Sequence, residues 1–465
     1  MRLLNCVVTL FLCGPVLCGP AEAGLRCGAA RVDITPPPGT PMAGYYFERG
    51  AEGTHDSLYA SVLVLDDGQT RAACVMLDLI ATTAPMVQAA RERIEQTCGI
   101  PAGNVLIAAT HSHTGPMLAS SNRRSNDFGA SHPLAVRFMD ELPDRIAQAV
   151  SDALAAAVDV QAAWAVGRCE GIAFNRRFHM RDGSVGWNPG KLNPQIVREA
   201  GPVDTDLPIV EFQNPDGRPV SLLMSYAIHL DTVGGPLFSS DVPHTVRSLL
   251  TAARGESLIP LYATGACGDV NHIDVRSSLP QKGHGEAARI GTRLAAAALA
   301  ACDNLRPVED PRLRVARRTV ELPLPEIAPE AAAAARETIE RNSAPGAARP
   351  SFLELVKAYQ TIDVVEREGR PWEVEVQVIA MGRDVAVVSL PGEIFVELGI
   401  TIRRGSPFAC TAIAELANGS VGYVPNRVAY PQGNYEVVSA RVAEGSGERL
   451  VDAALEMLRE LYVAP

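Results

Sequence analysis

Residues 72–80 (Ala-Ala-Cys-Val-Met-Leu-Asp-Leu-Ile) and 104–109 (Asn-Val-Leu-Ile-Ala-Ala) are apolar runs of strand length, and residues 85–98 between them have the spacing of an amphipathic helix. Strand, helix and strand in that order predict a βαβ unit, because parallel strands need a crossover and a helix supplies it. Such a unit commits the chain to an α/β architecture and gives any ligand a place, the carboxyl ends of the strands. There the sequence reads Thr110-His111-Ser112-His113-Thr114-Gly115-Pro116. Along a strand, residues two apart share a face, so His111 and His113 are predicted to point into the same space. Gly115-Pro116 then turns the backbone into a loop. Two imidazoles converging where a buried strand opens suit a metal ion or a proton transfer. They equally suit a pair of hydrogen-bonded structural histidines.

The rest of the chain continues the mixed pattern. Short strands are predicted at 30–34 and 61–65, a long alanine-rich helix at 134–157, and strands at 160–167, 207–213 and 219–228. A helix is predicted after Asp241 and another at 285–303. Residues 311–323 and 372–390 alternate apolar and polar side chains, as half-buried strands do. Between them lies a helical, alanine-rich insert, 328–365, broken by Asn342-Ser343-Ala344-Pro345-Gly346. A helix at 447–462 ends the reading. No repeat and no linker interrupts it, so the expected fold is one large mixed α/β domain with β-sheets flanked by helices.

Charge and composition remove whole classes of partner. A net charge of −11 argues against nucleic acid, which needs a basic face, and disfavours attachment to anionic lipid. Hydrophobic residues make up 47% of the chain, ample for a sizeable core. The first 23 residues have the form of a secretory signal: Arg2, a mostly apolar stretch over 3–17, and Ala21-Glu22-Ala23 as a small-x-small cleavage site. Residues 1–23 are therefore predicted to leave, giving a secreted or periplasmic protein cut after Ala23. No later stretch is apolar over the roughly 20 residues of a spanning helix. Cys6, Cys13 and Cys18 fall in the signal. The other seven cysteines (Cys27, Cys74, Cys98, Cys169, Cys267, Cys302 and Cys410) are scattered without a Cys-x-x-Cys, which excludes a zinc ribbon. In an oxidising compartment some are expected to pair, for example Cys27 or Cys74 with Cys98.

Two further places repeat the arrangement at His111. His229 ends the apolar run Leu222-Leu223-Met224-Ser225-Tyr226-Ala227-Ile228 and meets a loop containing Gly234-Gly235. Glu393 follows Val385-Ala386-Val387-Val388-Ser389-Leu390 and a Pro391-Gly392 turn. A buried carboxylate there needs a cation or hydrogen bonds, while a first-turn position on the helix expected at 394–403 is the plainer alternative. His55, His132, His179, His244, His272 and His284 lie in polar or turn-like segments and read as surface or hydrogen-bonded residues. Asp241 is either a helix cap or an orienting partner of His229. Tyr423, Tyr430 and Tyr435 sit in a segment rich in Gly, Asn and Pro, where a tyrosine ring packing on the surface is the ordinary reading.

Taken in order, several short segments resemble the neutral (non-lysosomal) ceramidase family, zinc-dependent amidases of ceramide. They are Val32-Asp33-Ile34-Thr35-Pro36, Thr110 to Pro116, Phe174-Asn175-Arg176, Ala227-Ile228-His229, Ser240-Asp241, Gly268-Asp269-Val270-Asn271, Pro391-Gly392-Glu393-Ile394-Phe395, Asn418 to Tyr423, and Tyr435-Glu436. The resemblance implies a Zn2+ ion held by His111, His229, Glu393 and Tyr423. It implies that His113, Arg176 and Tyr435 handle the substrate amide and its oxygens. The activity implied is cleavage of the N-acyl amide bond of ceramide or a related N-acyl lipid by metal-activated water. A zinc hydrolase of a non-lipid amide or ester on the same scaffold is the first alternative, and a non-catalytic exported binding protein the second. The chain departs from the family in three ways. Met117-Leu118 stands where the family has Gly-Gly. The insert 328–365 aligns with no family motif. Residues 24–465 are read as a single catalytic domain without the family's C-terminal β-sandwich domain.

Overall fold

Three times along the chain an apolar strand, a helix and a second apolar strand make a parallel pair, and each pair forms one edge of a larger sheet. A computed structural model describes residues 24–118 and 122–464. The expected signal, 1–23, lies outside the described residues.

The first sheet runs, in spatial order, Val105–Ala109, Arg71–Leu77, Tyr59–Asp66, Arg26–Asp33 and Val158–Asp159. Its parallel pair, Arg71–Leu77 with Val105–Ala109, is joined by helix Ala84–Cys98, as the sequence predicts. The helix starts there because the Thr83 hydroxyl accepts from the Met86 N–H and proline occupies the first turn. It stops at Gly99, whose φ of 64° closes the last turn in the left-handed region. Met86, Val87, Ala90 and Ile94 recur on its buried face and pack against the sheet. Each of the larger of these side chains contributes roughly 1.5–3 kcal/mol of burial.

The second sheet runs Ile259–Thr264, Pro219–Tyr226, Asp206–Gln213, Gln161–Arg168 and Arg306–Pro307, with helix Val242–Arg254 crossing its parallel pair. The third runs Leu313–Leu322, Trp372–Met381, Val385–Ser389 and Cys410–Ala414, crossed by helix Val396–Gly405. Residues 372–390, read from sequence as one strand, are a hairpin that turns at Gly382 with φ of 57°. All three sheets bury side chains in one shared cluster, among them Leu106 from the first, Leu223 and Leu261 from the second, and Val387 and Ala412 from the third.

That shared core brings the carboxyl ends of the central strands together, and backbone bonds stitch them. Ala109 N–H donates to the Leu416 carbonyl at 3.3 Å, Asn418 N–H to Ile107 at 2.8 Å, and Glu415 N–H to Thr264 at 2.9 Å. The Thr264 hydroxyl donates to the Thr110 carbonyl at 2.7 Å. His111, His229 and Glu393 each follow one of these strand ends.

The insert forms two helices, Pro329–Ser343 and Phe352–Val365, the second opened by a capping box between Ser351 and Glu354. Their apolar faces (Ala335, Ile339, Leu355, Ala358, Tyr359 and Ile362) pack with Ala43, Met117, Phe128 and Ala130. Met117, standing where the resembled family has glycine, is thus buried against the insert. The expected disulfides do not form: Cys27, Cys74 and Cys98 are buried free thiols, as are Cys169, Cys267 and Cys410, and the partly buried Cys302 is also unpaired. No helix among the described residues is long and apolar enough to cross a membrane.

Candidate metal centre

His111 leaves its strand abruptly. The strand ends at Ala109, and His111 itself has φ of 72°. A non-glycine residue in that region costs about 1–2 kcal/mol and persists only where its surroundings fix it. Here the His111 N–H donates to the Leu79 carbonyl at 2.9 Å, and its Nδ1 lies 2.7 Å from the Ile80 carbonyl oxygen. The two imidazoles do converge, but through this turn rather than through the alternation of a continuing strand. His113 is fixed on its own side by its Nδ1, 3.2 Å from the Gly44 carbonyl oxygen, and by Arg49 Nη2, which donates to the His113 carbonyl at 2.6 Å. Gly44 must be glycine: its φ is 100°, and a Cβ would lie 2.8 Å from the His113 oxygen.

The Nε2 atoms of three histidines meet. His111 and His229 are 2.9 Å apart, His113 and His229 3.1 Å, and His111 and His113 3.4 Å. A carbonyl oxygen only accepts, so the Nδ1 atoms of His111 and His113 carry the protons and their Nε2 atoms are bare. Bare lone pairs pressed together repel unless a cation lies among them. His229 brings its Nε2 to the same point from another strand end, while its buried Nδ1 has no hydrogen-bond partner among the described residues. Burial and the His111 imidazole push the His113 ring down to about 3, and burial and the same neighbour also lower His229, so both are neutral at ordinary pH. Neutral imidazoles are the form that binds metal.

Oxygen donors complete the surroundings. Glu393 Oε2 lies 3.5 Å from His111 Nε2. Glu393 is not on the following helix. It sits in a two-residue strand, Glu393–Ile394, paired in parallel with Tyr423–Val424. That pairing sets Glu393 directly beside Tyr423. Burial first, then Glu393, raises the Tyr423 phenol well above its usual range. The Glu393 backbone is pinned by Gly268, where a Cβ would come within 2.5 Å of the Glu393 carbonyl oxygen. Imidazoles, a carboxylate and a phenol are donor types that a zinc-class divalent ion takes, and the bare, mutually repelling nitrogens fit such an ion.

Arg176 does not reach the cavity. It is buried behind Tyr423, donating from Nη2 to the Tyr423 hydroxyl at 3.0 Å and to the Gly268 carbonyl at 2.7 Å, and from Nε to Glu436 at 2.8 Å. Those bonds turn it inward, against Tyr423 and Glu436. Tyr435 does line the cavity, its ring 5.4 Å from that of Tyr423. Asp241 turns out to be a cap: its carboxylate accepts from the Val242 and Val233 N–H groups at 2.8 Å each, and His229 Nδ1 stays unpartnered.

Sequence reasoning missed the groups that hold this set in place. Glu436 is fully buried between Arg176 and Arg177, 2.8 Å from each. Glu415 is fully buried and accepts from the Cys267 and Ile394 N–H groups at 3.2 and 2.8 Å. His272, read as a polar-segment residue, is buried against Asp231 and the Gln281 carbonyl. A second cluster, His55, Asp56 and His284, was also missed. There the two rings stack at 3.5 Å and within 10° of parallel, so one ion cannot lie in both ring planes.

The candidate centre opens into a cavity of about 550 Å³, walled by Ala43 to Tyr46, by Met117, Leu118 and residues of 122–128, and by the end of the insert with residues of 366–372. No family model matches the chain, and no curated protein sequence matches it. Solved structures do. The neutral ceramidase from Pseudomonas aeruginosa superposes with a TM-score of 0.75 at 19% identity, over 95% of this chain and 75% of that one. A ceramidase complexed with C2 gives 0.71 at 16% identity over the same shares. The resemblance in the motifs is thus met by shared architecture: this chain has the fold of the neutral ceramidases.

Proposed function

We propose that the chain is an exported zinc-dependent hydrolase that cleaves the N-acyl amide bond of ceramide or a related N-acyl lipid. One observation carries the reading: three histidines from two strand ends crowd their Nε2 atoms within 3.4 Å, two of them with the proton fixed on the far nitrogen. Glu393 and Tyr423 stand beside them, and the architecture is that of proteins described as ceramidases.

In this reading His111, His229, Glu393 and Tyr423 hold the ion. A zinc ion at such a site lowers the pKa of water toward ~7 and polarises a carbonyl. His113 is the proton carrier. Its Nε2 is bare because Nδ1–H is committed to Gly44, so it accepts the proton of the attacking water and passes it to the leaving amine nitrogen. Tyr435, lining the cavity, donates its hydroxyl to the oxygen that gains charge as the carbonyl becomes tetrahedral, a contribution of about 3 kcal/mol when preorganised. Arg176 keeps the Tyr423 hydroxyl aimed and balances the Glu436 carboxylate.

The test is His111→Ala in the mature protein, with metal content and hydrolysis of a fluorogenic N-acyl substrate both measured. We expect one zinc per chain in the unaltered protein and almost none in the variant. The rate should fall by more than the roughly 10–100-fold that losing an outer-shell partner causes. Unchanged metal and unchanged rate would overturn the reading.

A further inference from the structure

The cavity wall carries four arginines (Arg124, Arg367, Arg370 and Arg441) near the mouth, and three of them are already engaged. Arg441 is paired with Asp363 at 2.6 Å. Arg367 donates to the Arg370 and Pro371 carbonyls and lies 3.8 Å over the Trp372 ring. Arg370 donates to the Arg367 carbonyl and has Glu368 at 3.7 Å. Arg124 is different. Its guanidinium makes one hydrogen bond to the described residues, from Nη1 to the Tyr46 hydroxyl at 3.1 Å, and lies 5.1 Å from that ring's centre. No carboxylate among the described residues pairs with it. The acid on its own helix, Asp127, is held by Arg123 at 3.1 Å and by the Tyr359 hydroxyl at 2.9 Å. Asp363, the other nearby carboxylate, is the one committed to Arg441.

A partly buried guanidinium with an open fork of donors and no counterion is an unfinished interaction. Carboxylate and sulfonate are groups that finish it, through paired, charge-assisted hydrogen bonds. Position matters as much as charge. Tyr46 and Tyr435 line the same cavity, both lie near enough to act on the Arg124 charge, and Tyr435 adjoins Tyr423 at the metal centre. An anion on Arg124 would therefore share one cavity with His113, Glu393 and Tyr423. Tyr435 is itself braced from outside the cavity lining by Phe352 and Trp187, with ring centres 4.4–5.8 Å apart.

We propose that Arg124 is an anion subsite and that the preferred substrate is an acidic N-acyl amide, one bearing a carboxylate or sulfonate within a few bonds of the scissile bond, rather than a neutral sphingoid amide. The proposal rests on the amide-hydrolase reading above and deepens it.

The test compares kcat/KM for N-lauroylglycine, N-lauroyltaurine and N-succinyldodecylamine with that for neutral N-lauroylethanolamine and a ceramide. The first two place a carboxylate or sulfonate on the amine side, and the third places the acid on the acyl side. In parallel, calorimetry measures binding of N-(octylsulfonyl)glycine, which cannot be hydrolysed, against its neutral ethanolamine counterpart. The unaltered protein should favour at least one acidic substrate over the neutral one by about 10–100-fold, the range of a charge-assisted pair. Arg124→Gln should collapse that ratio toward one, and Arg124→Lys should restore part of it. Equal turnover and equal binding of acidic and neutral compounds by the unaltered protein would overturn the proposal. So would a ratio left unmoved by Arg124→Gln. If no amide is cleaved but the acidic sulfonamide binds selectively through Arg124, the hydrolase reading falls while the subsite stands. If amides are cleaved without regard to charge, the reverse holds.

Discussion

The inner and outer halves of the cavity are built on different principles. At the inner end the three histidines, Glu393 and Tyr423 grow from strand termini and from short paired segments beside them, and those termini are bonded to one another through the backbone. At the outer end the wall is helical and held by side chains: the insert helices meet Met117, Phe128 and Ala130 through an apolar cluster, and Asp127 through the Tyr359 hydroxyl. The inner end holds positions to within a hydrogen bond, as chemistry requires. The outer end sets shape and charge, and it is where the chain departs from the family it resembles.

The sharpest way to break this contrast is Gly268→Ala. The added Cβ would meet the Glu393 backbone at 2.5 Å and force it to move. Activity should fall by about 100-fold with a loss of bound metal, although no ligand has been replaced, because small misplacements at a reacting centre are that costly. Full metal and full rate in the variant would show that the inner end tolerates slack. Ile362→Ala probes the other half. It removes a side chain buried in the cluster that joins the insert to Met117, Phe128 and Ala130 and should cost about 2–4 kcal/mol in unfolding free energy. Metal content should stay at the parental level, with KM rising more than kcat falls. Metal loss here would join the two halves into one unit.

Glu415→Gln gives the smallest effect. Burial raises the Glu415 carboxyl well above the ordinary value of 4.5, so the folded chain keeps a proton that the unfolded chain releases. As pH rises from 4.5 toward the raised folded value, the unfolded state gains from ionising and stability falls. The substituted amide retains an acceptor for the Cys267 and Ile394 N–H groups and has nothing to titrate. Denaturant unfolding should place the variant within about 1 kcal/mol of the parent near pH 5 and with a flatter decline above it. An identical pH slope in both proteins would refute a buried protonated Glu415.

The architecture and the histidines were legible in the sequence for one reason. Buried parallel strands are continuous apolar runs, and a polar residue ending such a run stands out. His111, His229 and Glu393 are marked this way. Tyr423 and Arg176 are not, since a loop tyrosine and a lone arginine give no local signal, and only the resemblance singled them out. Glu436 was invisible because its partners Arg176 and Arg177 lie about 260 residues away. The face-sharing expected of His111 and His113 led to the right proximity by the wrong route, because alternation ends with the strand and backbone contacts to Leu79 and Ile80 take over. The disulfides expected from an oxidising compartment gave way to packing, which uses the cysteines as small apolar side chains.

Met117 follows His113 by four residues and ends inside the helical insert. The loop that leaves His113 is therefore moored to the same element that shapes the entrance. Removing the insert would leave a thioether unhoused beside the chemistry, and placing glycine at position 117 would open a hole beneath the entrance. A redesign that widens this mouth for bulkier guests has to change both together, so specificity here is inherited as a matched pair and not as an interchangeable lid.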